Sequence, residues 1–155
     1  MSGAVPKISL GDMSRFKVAV ISASWHKEVC DALIASAKRA LLESKVTISP
    51  VIFVPGSFEL PLAAQYALDS GADAAVVLGV VVRGETPHFD YVCQGVTDGV
   101  MQVSLSRSKP IGFGVLTVEN IEQAIARSGV PGSKEDKGFD ATVAALDLLR
   151  LRASL

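Results

Sequence analysis

The sequence predicts an α/β fold: a single-domain, three-layer α/β/α sandwich around a four-stranded parallel sheet. Three observations carry this. Strand-type and helix-type stretches alternate from residue 16 to the C-terminus. The run 74–82 (AAVVLGVVV) is apolar without a break, as a strand covered on both faces must be. Helix starts marked by Ser, Thr, Pro and acidic residues follow the strands closely, and right-handed crossovers then place helices on both sides of the sheet.

The elements follow in order. Residues 16–21 (FKVAVI) are β-branched and apolar and are closed by Ser22-Ala23-Ser24. Residues 28–44 carry Val29, Leu33, Ala37, Ala40 and Leu41 at helical spacing. Residues 46–54 return to strand character until Pro55-Gly56 stops them. Ser57 is then the expected N-cap of a helix to Ser70, with Glu59 and Pro61 in its first turn. After the strand 74–82, Thr86 and Pro87 read as N-cap and N1 of a helix over 88–106. Residues 111–117 (IGFGVLT) form the fourth strand, and helices over 119–128 and 137–152 complete the chain. Residues 1–15 form an N-terminal tail, and residues 16–155 the domain.

Composition narrows the function. The chain has 155 residues, 49% of them hydrophobic and 20% charged, enough for a core without disulfides or metals. A net charge of −1 with no basic block argues against nucleic acid, because phosphate contacts need concentrated Lys and Arg. The N-terminus has no cationic stretch followed by an apolar run, so it is not a signal peptide. The longest apolar run is too short to cross a bilayer. The expected compartment is the cytoplasm. Cys30 and Cys93 fall in helical stretches, outside any CxxC pair, and read as reduced thiols. With histidines only at positions 26 and 88, no multi-histidine metal site is expected. GxGxxG, GxxxxGK[ST] and GxSxG are all missing.

In a parallel sheet, ligands bind beyond the carboxyl ends of the strands, so the chemistry is expected after residues 22, 54, 82 and 112. The segment Arg83 to Asp90 (RGETPHFD) links the most buried strand to a helix N-terminus, where free N–H groups and the helix dipole favour an anion. His88 lies in that first turn and can move protons near neutral pH, or is simply an exposed histidine. Residues 55–61 (PGSFELP) make a second such junction, explained equally well as a strand stop and cap. Trp25, the sole tryptophan, can cover a ligand or pack at an interface. Gly112 and Gly114 clear space around Phe113 for a backbone or a flat ligand. Arg127 and Lys137, alone, read as surface charges near helix ends.

Together the blocks SASWH (22–26), PGSFELP (55–61), LGVVVRGETPHFDYVC (78–93), GFGVLT (112–117), EQAIARSG (122–129) and DKGFDAT (136–142) resemble the lumazine synthase family along essentially the whole chain. The resemblance implies a flavodoxin-like arrangement and a transferase that works without cofactor or metal. It condenses 5-amino-6-(D-ribitylamino)uracil with 3,4-dihydroxy-2-butanone 4-phosphate, giving 6,7-dimethyl-8-ribityllumazine, phosphate and water for a riboflavin synthase to use next. Position by position, it implies that Trp25 stacks on the uracil ring and that Ser57, Phe58 and Glu59 bind the ribityl chain. The backbone of Val80, Val81 and Val82 reads the pyrimidine edge. Glu85, Thr86 and Arg127 bind the phosphate, and His88 is the acid/base. Phe113 lines the pocket, and Lys137 lies near the pyrimidine. The sites are implied to lie between subunits of a homo-oligomer, with Phe113, Arg127 and Lys137 supplied by one chain.

Two departures stand out. Glu85 puts a carboxylate beside a phosphate site, which repels unless the side chain points outward. The loop 128–136 is longer than the GxKxGNKG-type connection of members that form sixty-subunit shells, and it contains Pro131. A free pentamer is therefore expected over a shell. The rival readings are a non-enzymatic flavin or lumazine binder and a shell-forming protein on the same scaffold; retention of both His88 and Arg127 favours the enzyme.

Overall fold

The computed structural model describes residues 3–155; the first two residues of the expected tail lie outside the described residues. Strands β1 (Val18–Ala23), β2 (Ile52–Val54), β3 (Ala74–Val82) and β4 (Ile111–Val118) pair in parallel in the order β2-β1-β3-β4. The helices are α1 (Lys27–Glu43), α2 (Leu60–Asp69), α3 (His88–Arg107), α4 (Ile121–Ile125) and α5 (Lys137–Ser154), with a 3₁₀ turn over Ser57–Glu59 ahead of α2.

Alternation along the central strands assigns the layers. Val18 and Val20 of β1 and Val76, Leu78 and Val80 of β3 share one core with Leu33, Ala37 and Leu41 of α1 and Ala145, Leu146 and Leu149 of α5. Ile21, Ala75 and Val77 point the other way, into a second core with Leu60, Ala64 and Leu68 of α2 and Val96, Val100 and Val103 of α3. From Ala74 to Leu78 every β3 side chain is fully buried. The continuous apolar run is therefore a strand covered on both faces, as its composition predicts.

Three boundaries differ from those expected. The second strand is short: β2 spans only Ile52–Val54, not 46–54. The residues before it finish α1 instead. Lys45 takes a left-handed φ of 62°, its N–H donates to the Leu42 carbonyl at 3.0 Å, and the Val46 N–H donates to Leu41 at 2.9 Å. This is a Schellman end, and Val46 is buried as its apolar anchor. Pro50, with no N–H, also cannot join a ladder. The fourth helix shrinks to Ile121–Ile125, because the Asn120 side chain caps it by accepting from Gln123 N at 3.0 Å, and a bridge between Ser128 and Asp136 turns the chain back. At the third, α3 begins at His88 as expected, but Pro87, not Thr86, takes its N-cap position, with no side-chain cap. In the tail, Met13 is buried and its N–H donates to Ser44 O at 2.9 Å.

The glycines around Phe113 are explained by close neighbours within the chain: backbone at Gly112, and at Gly114 the Leu78 side chain, whose Cδ2 a Cβ would meet at 2.6 Å. A Cβ on Gly112 would stand 2.3 Å from the Ala141 carbonyl oxygen of α5. Because that obstacle is main chain, Gly112→Ala is expected to cost about 2 kcal/mol through overpacking. Gly84→Ala, with nothing within 4 Å, is expected to be near neutral. Urea unfolding of the two variants side by side checks the difference.

Candidate functional site

The strand order places a topological switch between β1 and β3, since the chain leaves β1 toward β2 and then crosses to the other side. The crevice at the carboxyl ends of two such strands is where open α/β sheets bind ligands. Here the register of β1 with β3 ends at Ser22↔Leu78, whereas β3 continues beside β4 to Val82↔Val118. On their β1 side, the backbone groups of Val80 to Val82 thus have no strand partner and are available to a planar ligand.

The rim of this crevice is built from two stitched loops. Ser24 Oγ donates to Val54 O at 2.8 Å, and Ser24 N–H donates to Pro55 O at 3.3 Å, tying the loop after β1 to the loop after β2. Trp25 is 70% exposed, and its indole lies against Gly56: a Cβ there would be 3.6 Å from Cδ1. The Glu59 Oε2 accepts from the Gly56 N–H at 2.9 Å, so Glu59, and not Ser57, caps this turn. The Ser57 side chain instead packs down on Gly79 of β3, where a Cβ would meet its Oγ at 2.5 Å. The Ser57 Oγ is buried and without a hydrogen-bond partner. Phe58 lies over Gly95 of α3, which brings the 3₁₀ turn onto that helix, and its ring remains 60% exposed.

Beyond β3 the chain runs through Glu85, Thr86 and His88, all exposed. The Thr86 Oγ1 accepts a long bond of 3.4 Å from the His88 N–H. Glu85 is exposed and makes no ion pair among the described residues. Arg83, to which the sequence assigned no role, braces this turn. Its Nε bonds Glu119 at 2.8 Å, NH1 bonds Asp90 at 3.3 Å, and the guanidinium lies 4.2 Å from the centroid of the Phe89 ring. The Asp90 charge at the helix start is thereby offset. An arginine immediately after a buried strand and before an acidic first turn was the available signal.

Phe113, Arg127 and Lys137 gather elsewhere. Phe113 is not beyond the carboxyl end of its strand: it is the third residue of β4 and faces Val77 in the register. That is roughly 16 Å short of Val82 at about 3.3 Å per residue. With Val115 to Val118, these three residues line a pocket of about 190 Å³ on the free edge of β4. The Arg127 NH1 donates to Gln123 O at 2.9 Å, and the Lys137 N–H donates to Arg127 O at 3.0 Å. Glu135 also enters here: its Oε2 lies 3.3 Å from Lys137 Nζ and 3.7 Å from Arg127 Nε. Phe113 thus stands back from the crevice, whereas Arg127 and Lys137 share their pocket with Val118, the register partner of Val82.

Comparison with known proteins bears on both groups. A family model described as 6,7-dimethyl-8-ribityllumazine synthase matches residues 15–153. The chain is 51% identical to the 6,7-dimethyl-8-ribityllumazine synthase of Streptomyces coelicolor, over 94% of this chain and 91% of the relative. It is 54% identical to the enzyme of that name from Nocardioides sp., over 87% and 84%, and 49% identical to that from Mycobacteroides abscessus, over 98% of each.

Neither cysteine is poised as a nucleophile. Burial raises the Cys30 thiol, whose Sγ donates to Trp25 O at 3.2 Å, and burial followed by the Asp90 charge raises that of Cys93. A raised pKa leaves less thiolate at a given pH. At pH 8 a thiol-specific alkylating reagent is expected to label half-buried Cys93 slowly and Cys30 only on unfolding. Mass spectrometry of the labelled native protein checks the order, and prompt labelling of Cys30 would refute it.

Proposed function

The chain belongs to the 6,7-dimethyl-8-ribityllumazine synthase family, and from that premise we propose how its two groups of residues divide the reaction. It is an enzyme, a transferase of riboflavin biosynthesis. It condenses 5-amino-6-(D-ribitylamino)uracil with 3,4-dihydroxy-2-butanone 4-phosphate. The observation that carries this is the family match across residues 15–153.

The substrates bring much of the reactivity themselves. The 5-amino group attacks the ketone carbon, and loss of water gives an imine. Elimination of the phosphate leaves an enol, which tautomerises to a ketone. The ribitylamino nitrogen attacks that ketone and a second water leaves, closing the ring. No step needs an oxidant or reductant. The protein's main task is to hold two reactants in one geometry. Trp25 stacks on the uracil ring, and the unpaired backbone at Val80, Val81 and Val82 reads its edge. Ser57, Phe58 and Glu59 take the ribityl chain, Glu59 with the oxygen its cap leaves free. His88 moves protons at imine formation, elimination and closure. Thr86, the amides of the α3 start and Arg127 hold the phosphate and stabilise its departure. The Glu85 side chain turns to solvent, so that only its backbone serves the phosphate. Phe113 closes the pocket over the bound ring, and Lys137 lies near the pyrimidine.

With Phe113 set back along β4 from its own chain's crevice, the site is completed by a second copy. The free edge of β4, with Phe113 40% exposed, is the surface that supplies Phe113, Arg127 and Lys137. A homopentamer fits this head-to-tail requirement, because a heterologous contact closes into a ring. The longer loop 128–136, with Pro131, is what favours a free pentamer over a sixty-subunit shell. The lumazine product passes to a riboflavin synthase. No helix among the described residues is long and apolar enough to cross a membrane, and the polar substrates suit a reaction in the cytoplasm.

With both substrates, wild type is expected to form green-fluorescent lumazine and equimolar phosphate. His88→Ala is expected to lower kcat at the mild end of general acid–base effects, about a hundredfold or less. Arg127→Ala is expected to lose more in kcat/KM, chiefly through KM for the sugar phosphate. A greater loss with His88→Ala would refute catalysis dominated by positioning. Light scattering separates a particle of five 16.2 kDa chains from a far heavier shell.

A further inference from the structure

Glu135 occupies an unusual position. Its carboxylate bridges Lys137 and Arg127, at 3.3 and 3.7 Å, the two cations of the β4-edge pocket. The backbone beneath it is held in place. Its N–H donates to Ala126 O at 3.0 Å, and its carbonyl accepts from Gly129 N at 3.2 Å and from Ser133 Oγ at 3.2 Å. The neighbouring Asp136 is engaged elsewhere, since it pairs with Arg39 and caps α5 by accepting from Phe139 N at 3.2 Å. Of the acidic pair 135–136, only Glu135 reaches the pocket cations. Lys137 also has Asp140 at 3.7 Å, and that Oδ2 is buried without a hydrogen bond. Two cations thus stand against two carboxylates. Both are partly exposed, Asp140 at 24% and Glu135 at 32%, but the Oδ2 of Asp140 is buried, whereas Glu135 is anchored only by its backbone.

We propose that Glu135 is an internal stand-in for the substrate's phosphate, a specificity-determining carboxylate that an incoming phosphate must displace from Arg127. The inference rests on the reading of Arg127 as a phosphate ligand. A carboxylate and a phosphate make the same charge-assisted contacts to a guanidinium, so they compete for it. While Glu135 is in place the cluster is electrically balanced and offers an anion little attraction. When Glu135 swings to water, a net positive charge faces the ligand, because the buried Oδ2 of Asp140 stays beside Lys137. The same competition acts at the end of the cycle, when the returning carboxylate helps free inorganic phosphate to leave. Partly exposed ion pairs contribute little individually, so the competition is modest, about two- to fivefold in anion affinity.

The test uses the full-length chain, with inorganic phosphate as the probe, followed by calorimetry, and steady-state kinetics for the sugar phosphate. In Glu135→Gln, which keeps the side chain's size and the backbone bonds, the Kd for phosphate and the KM for the sugar phosphate are both expected to fall about two- to fivefold. The melting temperature should stay as in wild type. Glu135→Asp, with a shorter reach, should fall between the two. If Arg127→Ala weakens phosphate binding while Glu135→Gln leaves it unchanged or weaker, the competition is refuted and the phosphate reading stands. A lowered melting temperature with weaker phosphate binding in Glu135→Gln would make Glu135 structural and likewise refute it. If Arg127→Ala leaves phosphate affinity unchanged, the phosphate reading fails and the inference fails with it.

Discussion

Burial of β3 on both faces is the constraint from which the rest of the structure follows. Its residues from Ala74 to Leu78 are sealed, so the sheet must be covered twice, by α1 and α5 on one side and by α2 and α3 on the other. A strand in that position has its backbone paired on both flanks by β1 and β4. Only at its carboxyl end does one flank come free, because β1 stops earlier. The place where the fold runs out of partners for β3 is also the place where a ligand can pair with it.

Around that opening the chain spends little on rigidity for its own sake. Most of the hydrogen bonds that fix the rim are short-range or join adjacent loops: Ser24 to Val54, Glu59 to Gly56, and Arg83 to Glu119 and Asp90. The side chains they position, Trp25, Phe58 and His88, stay exposed. Exposed aromatics beside unpaired backbone signal a surface that something else covers. The free edge of β4 has the same character, and a bare sheet edge is ordinarily protected.

Charge is arranged with similar economy. Arginines are paired where they brace structure, as Arg83 with Glu119 and Arg107 with Asp69. The pair of cations on the β4 edge is instead shared by Glu135 and Asp140, at distances too long for strong bonds. Such loose sharing holds the cations in place without committing them.

The sequence by itself determined the layers, the four strands, the helices and the crevice side of the site. Those features rest on local periodicity, on caps and on an apolar run long enough to need cover on both faces. The family blocks pointed to candidate site residues for the same reason, being local patterns. Tertiary structure alone decided the short β2, because a Schellman end at Lys45 and Val46 outcompeted strand pairing that had only an edge to gain. It also decided why Gly112 is glycine, since the Ala141 carbonyl comes from 29 positions downstream. The distance of Phe113 from the crevice depends on the β3–β4 register, and the embrace of Arg127 and Lys137 by Glu135 depends on a loop folding back through the Ser128↔Asp136 bridge. Contacts between segments far apart in sequence leave no periodic trace in either one.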